Sequence, residues 1–276
     1  MIPRCNLHTH TVYCDGSNSV DEMVEAAINA GLDTIGFSGH FILDIEPPQW
    51  WSMDEERVAK YRVDIIKAKE KYKGRINILL GCEKDYFSPV PKDEYDYSIG
   101  SVHYVLKDGV YIPMDIEAEE LQNAIDQLYG GDSLAMAKDY YSLVADVYNR
   151  TGGEIVGHFD LLTKFNEKHP YLDTDCKEYR AAALEAADAL LENRELVFEI
   201  NTGAMSRGWR SAPYPAEFIL KYLIEKNGRI IITGDSHAAE SITYAYDEAL
   251  EYARSCGAKE IWTIKSGKEF TPIKIV

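Results

Sequence analysis

Short β-branched apolar runs recur along this chain, each separated from the next by a stretch of helical periodicity, and six of the seven histidines fall just past one of those runs. Such alternation commits a chain to a parallel sheet, because a crossover helix returns each strand in the same direction and covers a face of the sheet. Burial on both faces also explains why the runs are apolar throughout instead of alternating with polar residues.

The first pair reads as a strand from Ile2 to Leu7 and a helix from Ser19 to Ala30, with Ser19 and Glu22 in capping-box spacing and Gly31 as the stop. Next come Thr34 to Ser38 as a strand, Asp54 to Tyr72 as a helix, and Ile76 to Gly81 and Tyr97 to Val102 as strands. A long acidic helical region follows, broken near Gly130-Gly131 and resumed through Arg150. The remaining pairs are Glu154 to Gly157 with Thr174 to Asn193, Leu196 to Ile200 with Pro215 to Lys226, and Ile230 to Thr233 with Ser241 to Ser255. Glu260 to Ile264 reads as an eighth strand or an edge piece.

The six histidines are His8 and His10 (NLHTH), His40 (FSGH), His103 (GSVH), His158 (VGHFD) and His237 (GDSH); Glu83 ends the run ILLGCE, and Asp235 stands two residues before His237. An open doubly wound sheet fits the alternation too, but it concentrates ligands near one switch point. A barrel brings every C-terminal strand end to one mouth, so it is the better host for polar residues that follow nearly every strand. The expectation is a single (β/α) barrel domain over residues 1–276, with no linker and no second domain.

Six strand-end histidines with carboxylates among them point to metal. Any one buried histidine is ordinarily a hydrogen-bonded core residue, but six in equivalent positions do not share that explanation by chance. His8 and His10 are two apart, so on a strand their imidazoles leave one face roughly 6.5 to 7 Å apart at the backbone and can converge on one ion. A His/Asp/Glu set without thiolates suits catalytic ions with open positions, and Mn, Fe and Zn all fit it. The five cysteines include no CxxC pair and read as reduced thiols. His169 (EKHPY) follows no strand and reads as a loop residue.

The motifs HTHTVYCDG, FSGH, LLGCE, GSVH, GHFDLL and GDSH, in that order from His8 to His237, resemble those of the PHP (polymerase and histidinol phosphatase) family, and most closely its stand-alone phosphatases. The resemblance implies a distorted seven-stranded (β/α) barrel holding three divalent ions. By motif, His8, His10, Glu83 and Asp235 would hold the first, Glu83 would bridge to a second held by His103 and His158, and Asp15, His40 and His237 would hold the third. Asp15 precedes Gly16, and Asp-Gly is also an ordinary turn pair. The implied reaction is hydrolysis of L-histidinol phosphate, in histidine biosynthesis, by a hydroxide shared between cations. Neither a Cys-x5-Arg loop nor a GxSxG elbow offers a protein nucleophile instead.

Asp160 and His237 are the candidate acids for the leaving group, Asp160 alternatively orienting a ligand from behind. Arg207 and Arg210 (SRGWR), Lys164 (DLLTK) and the Ser101 hydroxyl are candidate phosphate partners. The Pro- and Trp-rich loop after His40 has the character of a lid, with Asp44 and Glu46 placed to meet a cationic substrate and Trp50 or Trp51 to cover it. A formal charge of -17 over 276 residues disfavours a nucleic-acid partner. No apolar stretch approaches the roughly 20 residues of a membrane span, and nothing near Met1 resembles a signal peptide, so the expectation is a cytoplasmic protein acting on a small phosphate ester. The competing readings are a nucleotide phosphatase or phosphodiesterase, and a barrel that binds without catalysis.

Overall fold

Seven of the apolar runs form one parallel sheet in the computed structural model, which describes residues 4–92 and 94–275. In chain order the elements are β1 (Cys5–Asn6), α1 (Val20–Asn29), β2 (Thr34–Phe37), α2 (Glu55–Lys71), β3 (Asn77–Asp85), β4 (Tyr97–Ser101), β5 (Tyr104–Lys107), β6 (Val110–Pro113), α3 (Ala118–Leu128) and α4 (Ser133–Thr151). They continue as β7 (Ile155–Val156), α5 (Lys177–Leu191), β8 (Val197–Asn201), α6 (Gly203–Ser206), α7 (Glu217–Glu225), β9 (Arg229–Thr233), α8 (Tyr246–Ser255), β10 (Glu260–Thr263) and β11 (Thr271–Lys274). The sheet order β1-β2-β3-β4-β7-β8-β9 follows the chain, as a barrel wound in one direction requires.

The two edges meet near the mouth, just past the ends of β1 and β9. His10 donates its backbone N–H to Ser236 O at 2.9 Å, and Ser236 donates back to His8 O at 3.0 Å, so Thr9 and Ser236 bridge in parallel. The fold is therefore a distorted, nearly closed seven-stranded barrel. Its interior is filled by Cys5, Leu7, Leu79, Tyr97, Ile99, Ile155, Val197 and Ile231, all buried. Each large aliphatic member contributes about 1.5–3 kcal/mol relative to an exposed side chain. Helices cover the outside through two larger apolar clusters.

Local chemistry accounts for the element ends. Ser19 Oγ accepts the Glu22 N–H and the Glu22 carboxylate accepts the Ser19 N–H, completing the capping box of α1, while Gly31 takes φ +77° just beyond it. Asp54 caps α2 with a single bond, its carboxylate accepting the Arg57 N–H at 2.8 Å.

Two features depart from the sequence reading, and a third settles one of its alternatives. β3 runs on to Asp85 instead of stopping at Gly81, because β4 pairs with residues 81–85 and keeps Glu83 inside the sheet. An antiparallel hairpin, β5 with β6, stands where the acidic helical region was expected to begin. Glu260 to Thr263 is the edge piece, paired antiparallel with β11 and not part of the barrel. Ile2 and Pro3 of the first expected strand lie outside the described residues. Among the described residues no helix is long and apolar enough to cross a membrane.

Candidate metal centre

The bridge that closes the barrel also aims the first two histidines. Thr9 is held from both sides, by Ser236 and by Ser38, whose N–H donates to Thr9 O at 3.0 Å, so His8 and His10 on either side of it project together into the mouth, both fully buried. The next turn brings in Asp15. Gly16 N–H donates to Thr11 O at 3.1 Å, and a β-carbon at Gly16 would stand 2.5 Å from the carbonyl carbon of His10, so only glycine permits this return. Asp15-Gly16 is thus a turn pair whose acid also points inward: Asp15 Oδ2 lies 3.1 Å from His237 Nε2, and Oδ1 lies 3.5 Å from His10 Nδ1 and 3.6 Å from His40 Nε2.

Asp235 reaches the centre from a left-handed backbone conformation, φ +44°, that is uncommon for a non-glycine residue. The space it enters exists because position 203 is glycine, where a β-carbon would fall 2.5 Å from Asp235 Oδ2.

Glu83 is the hub. On one side Oε2 is 3.0 Å from His40 Nδ1, 3.3 Å from His8 Nε2 and 3.7 Å from His10 Nε2; on the other, Oε1 is 3.1 Å from His158 Nε2 and 3.5 Å from His103 Nε2. Asp235 Oδ1 is 3.4 Å from His10 Nε2 and 3.7 Å from His8 Nε2. All nine side chains singled out in the sequence come together. Sets of mutually close ligand atoms are His8, His10, Asp235; His40, Glu83, His103; and His10, Asp15, His40, His237. His10 and His40 each belong to two of these, so the centre is one continuous cluster.

The donor atoms fit metal ions. His8 Nε2, His10 Nε2, Asp15 Oδ1 and Glu83 Oε2 are buried without a hydrogen-bond partner, and leaving such groups unsatisfied costs about 1–3 kcal/mol each. Bare lone pairs converging from imidazoles and carboxylates are what a cation satisfies and a proton network does not. The electrostatics agree. Burial opposes charge on Glu83, yet His8, His40 and His103 hold its carboxyl well below the usual carboxylate range. Burial likewise opposes charge on Asp235, and Arg207 and His8 hold it well below. Burial pushes the His10 imidazole down to about 3, helped by His237 and His40, which keeps it neutral.

Outer partners orient the imidazoles. Glu199 Oε1 lies 2.7 Å from His8 Nδ1, and Asp85 Oδ2 lies 3.2 Å from His103 Nδ1 while accepting the His103 backbone N–H at 2.7 Å. Neither was singled out in the sequence, although Glu199 in VFEIN falls on the inward side of β8 with Val197, and Asp85 falls two residues beyond Glu83. A carboxylate at an inward position of a barrel strand is the signal both carried.

A cavity of about 210 Å³ opens above the cluster, lined by Asp15, His40, His103, His158, Asp235 and His237 together with Trp50, Trp51, Asp115, Lys164 and Arg207. Of the expected substrate residues, Arg207 and Lys164 are present. Arg207 donates to Asp235 Oδ2 and Asp235 O, both at 3.1 Å, and to His237 Nδ1 at 3.0 Å; Lys164 pairs with Asp115 at 3.2 Å. Trp51 packs on His40 with ring centroids 4.6 Å apart, whereas Trp50 is exposed. Besides Asp15 and Asp235, the acid in the lining is Asp115, not Asp44 or Glu46.

Three expectations are corrected. Ser101 Oγ donates to Glu83 Oε1 at 2.6 Å and is buried, so it holds the hub and does not line the cavity. Asp160 is not delivered to the centre: β7 ends at Val156 and a 3-10 turn at Leu161–Thr163 carries the chain away, so the two-residue spacing from His158 no longer means a shared face. Its Oδ2 accepts the Ala216 N–H at 3.0 Å, and with Arg210 it lines a separate, larger cavity of about 600 Å³ that holds none of the nine. Burial raises its carboxyl, opposed by Arg210. Arg210 donates to Thr163 and to Ala212 O and lies over the Tyr214 ring, away from Arg207's cavity.

A parallel barrel that gathers six imidazoles and two aspartates around one buried glutamate at its mouth defines a class of protein built to hold metal ions. The chain belongs to the PHP domain family, whose model matches residues 6–203. Among its relatives, the histidinol-phosphatase of Bacillus subtilis is 26% identical and aligns over 88% of this chain and 97% of its own length. A protein of Deinococcus radiodurans named "Probable histidinol-phosphatase" is 27% identical over 93% of this chain and 95% of its own. The fold is shared with the histidinol phosphate phosphatase of Lactococcus lactis, at a TM-score of 0.74 and 20% identity, covering 98% of this chain and 100% of that one; that protein was crystallised with Zn, L-histidinol and phosphate.

Proposed function

We propose that this protein is a single-domain, cytoplasmic phosphatase of histidine biosynthesis that hydrolyses L-histidinol phosphate to L-histidinol and phosphate with three divalent metal ions. The observation that carries this reading is the gathering of eight ligand-type side chains around Glu83 beneath a small cavity that also presents Arg207 and Lys164. Support for the substrate comes from relatives matched along nearly their whole length and bearing that name.

His8, His10, Glu83 and Asp235 would hold the first ion, Glu83, His103 and His158 the second, and Asp15, His40 and His237 the third. When bound, such ions activate water near neutral pH and neutralise charge on the phosphoryl group. The chain's own residues supply the rest. Glu83 is kept ionised by its imidazole neighbours and positioned by the Ser101 hydroxyl. Arg207 offers a planar fork to phosphate oxygens, and Lys164 a point charge. Asp115 gives the cavity an acid for a cationic amine, and Trp51 walls off solvent over His40. His237 lines the cavity but would hold the third ion through Nε2 and accepts from Arg207 at Nδ1, so it has no proton to give, and the charge of the departing alkoxide would be offset by the ions.

The test is a substrate panel on metal-reconstituted protein, setting L-histidinol phosphate against nucleotides, sugar phosphates and a single-stranded oligonucleotide. The expected result is preferential release of phosphate from L-histidinol phosphate. Efficient cleavage of another ester with none of this one would overturn the assignment.

A further inference from the structure

Glu199 lies in the middle of β8, buried among the apolar residues that fill the barrel, and no ligand set for the ions requires it. A carboxylate in that position is costly unless its oxygens are fully satisfied. They are satisfied entirely by donors. Oε1 lies 2.7 Å from His8 Nδ1, and Oε2 accepts the His158 backbone N–H at 3.0 Å and the Asn201 side-chain N–H at 3.1 Å. Asn201 is oriented in turn, because its Oδ1 accepts the Gly203 N–H at 2.9 Å, and Gly203 is the residue whose lack of a side chain admits Asp235.

We propose that Glu199 is the positioning residue of the metal centre, setting His8 in its ligating form while holding His158 and, through Asn201 and Gly203, the space for Asp235. An ionised carboxylate is an acceptor only, so His8 Nδ1 must carry the hydrogen and Nε2 must present its lone pair toward Glu83 and Asp235. His8 and Asp235 belong to the first ion's set and His158 to the second's, so one side chain ties the two positions together. The inference rests on the proposed metal chemistry of the site.

Glu199→Gln is nearly isosteric but replaces one acceptor with a donor. If the amide nitrogen faces His8, it forces the hydrogen onto Nε2 and blocks ligation; if it faces the other way, it meets the His158 and Asn201 donors head-on. Either orientation weakens ion binding by about 10- to 100-fold, the usual cost of losing such an outer partner. The measurement is zinc affinity by chelator competition with metal content by mass spectrometry. Wild-type affinity in the variant would overturn the proposal while leaving the metal reading intact, whereas a wild-type protein that takes up no zinc would overturn that reading itself. A second measurement needs no variant: nitrogen-15 NMR of zinc-loaded wild-type protein is expected to show His8 with hydrogen on Nδ1 and Nε2 ligated, and the opposite arrangement would refute the role given to Glu199.

Discussion

Gly203→Ala tests how tightly the first ion's position is built. The added β-carbon would stand 2.5 Å from Asp235 Oδ2, 2.7 Å from its Cβ and 2.8 Å from its Cγ. Ordinary van der Waals contact begins near 3.4 Å, so Cγ must withdraw by about 0.6 Å and carry with it Oδ1, the oxygen that faces His8 and His10, by more than the roughly 0.2 Å tolerance of a metal-ligand distance. Asp235 has little room to comply, since its backbone already sits at φ +44° and Arg207 holds Oδ2 at 3.1 Å. Overpacking of this kind costs about 1–3 kcal/mol in a well-packed interior. The expected outcome is a folded protein with a melting temperature lowered by a few degrees and with its weakest loss of metal at the position built from Asp15, His40 and His237. Thermal unfolding read beside zinc titration checks this. A variant with wild-type melting temperature and wild-type zinc stoichiometry would refute the idea that close approach at Gly203 sets Asp235.

Glu83→Gln removes the charge that His8, His10, His40, His103 and His158 face, so activity should fall by more than the roughly 10- to 100-fold cost of an outer partner, with metal content dropping at two positions instead of one; steady-state kinetics and metal analysis on the same sample decide it. Arg207→Lys keeps the charge but loses the fork, and kcat/KM should drop by about 10- to 100-fold, the value of one or two hydrogen bonds to a charged group, while zinc content stays near wild type. The metal-free protein should lose stability as pH rises above the ordinary histidine range near 6.5. His8 and His40 are buried, yet nearby carboxylates raise both well above that range, so their contribution is complete below 6.5 and lost as pH climbs through their folded values. Zinc should abolish that alkaline decline, and a melting temperature of metal-free protein that stays level from pH 7 to 9 would contradict the assignment.

The barrel was legible because its cause is local. Apolar runs buried on both faces and capped, periodic helices between them leave few topologies open, and Ser19 with Glu22 or Asp54 with Arg57 mark helix starts through contacts three residues apart. The β5–β6 hairpin was missed because a four-residue strand such as YVLK carries no decisive period, and β3 overran its expected end because pairing with β4 extends it past Gly81.

All nine candidate ligands were visible in the sequence, since each stands where a strand or its following turn meets the mouth. That much follows from chain order alone: parallel strands all end on one side. Which other residues join them depends on how the chain turns afterwards. Arg207 arrives because α6 is a single turn that leaves it beside Asp235, while Arg210, three residues on, swings to Thr163 and a different cavity. Asp160 is lost to the centre at a 3-10 turn, and Ser101, Glu199 and Asp85 become supports because their partners, Glu83, His8 and His103, are remote in sequence or lie on neighbouring strands. The sequence by itself determined the fold and the kinds of atoms that meet at its mouth, because period and strand-end position are properties of adjacent residues. Tertiary structure alone decided which side chains gather in the cluster, which hold its members from behind and which line the cavity, because those places are set by distances between residues as far apart as His8 and Glu199.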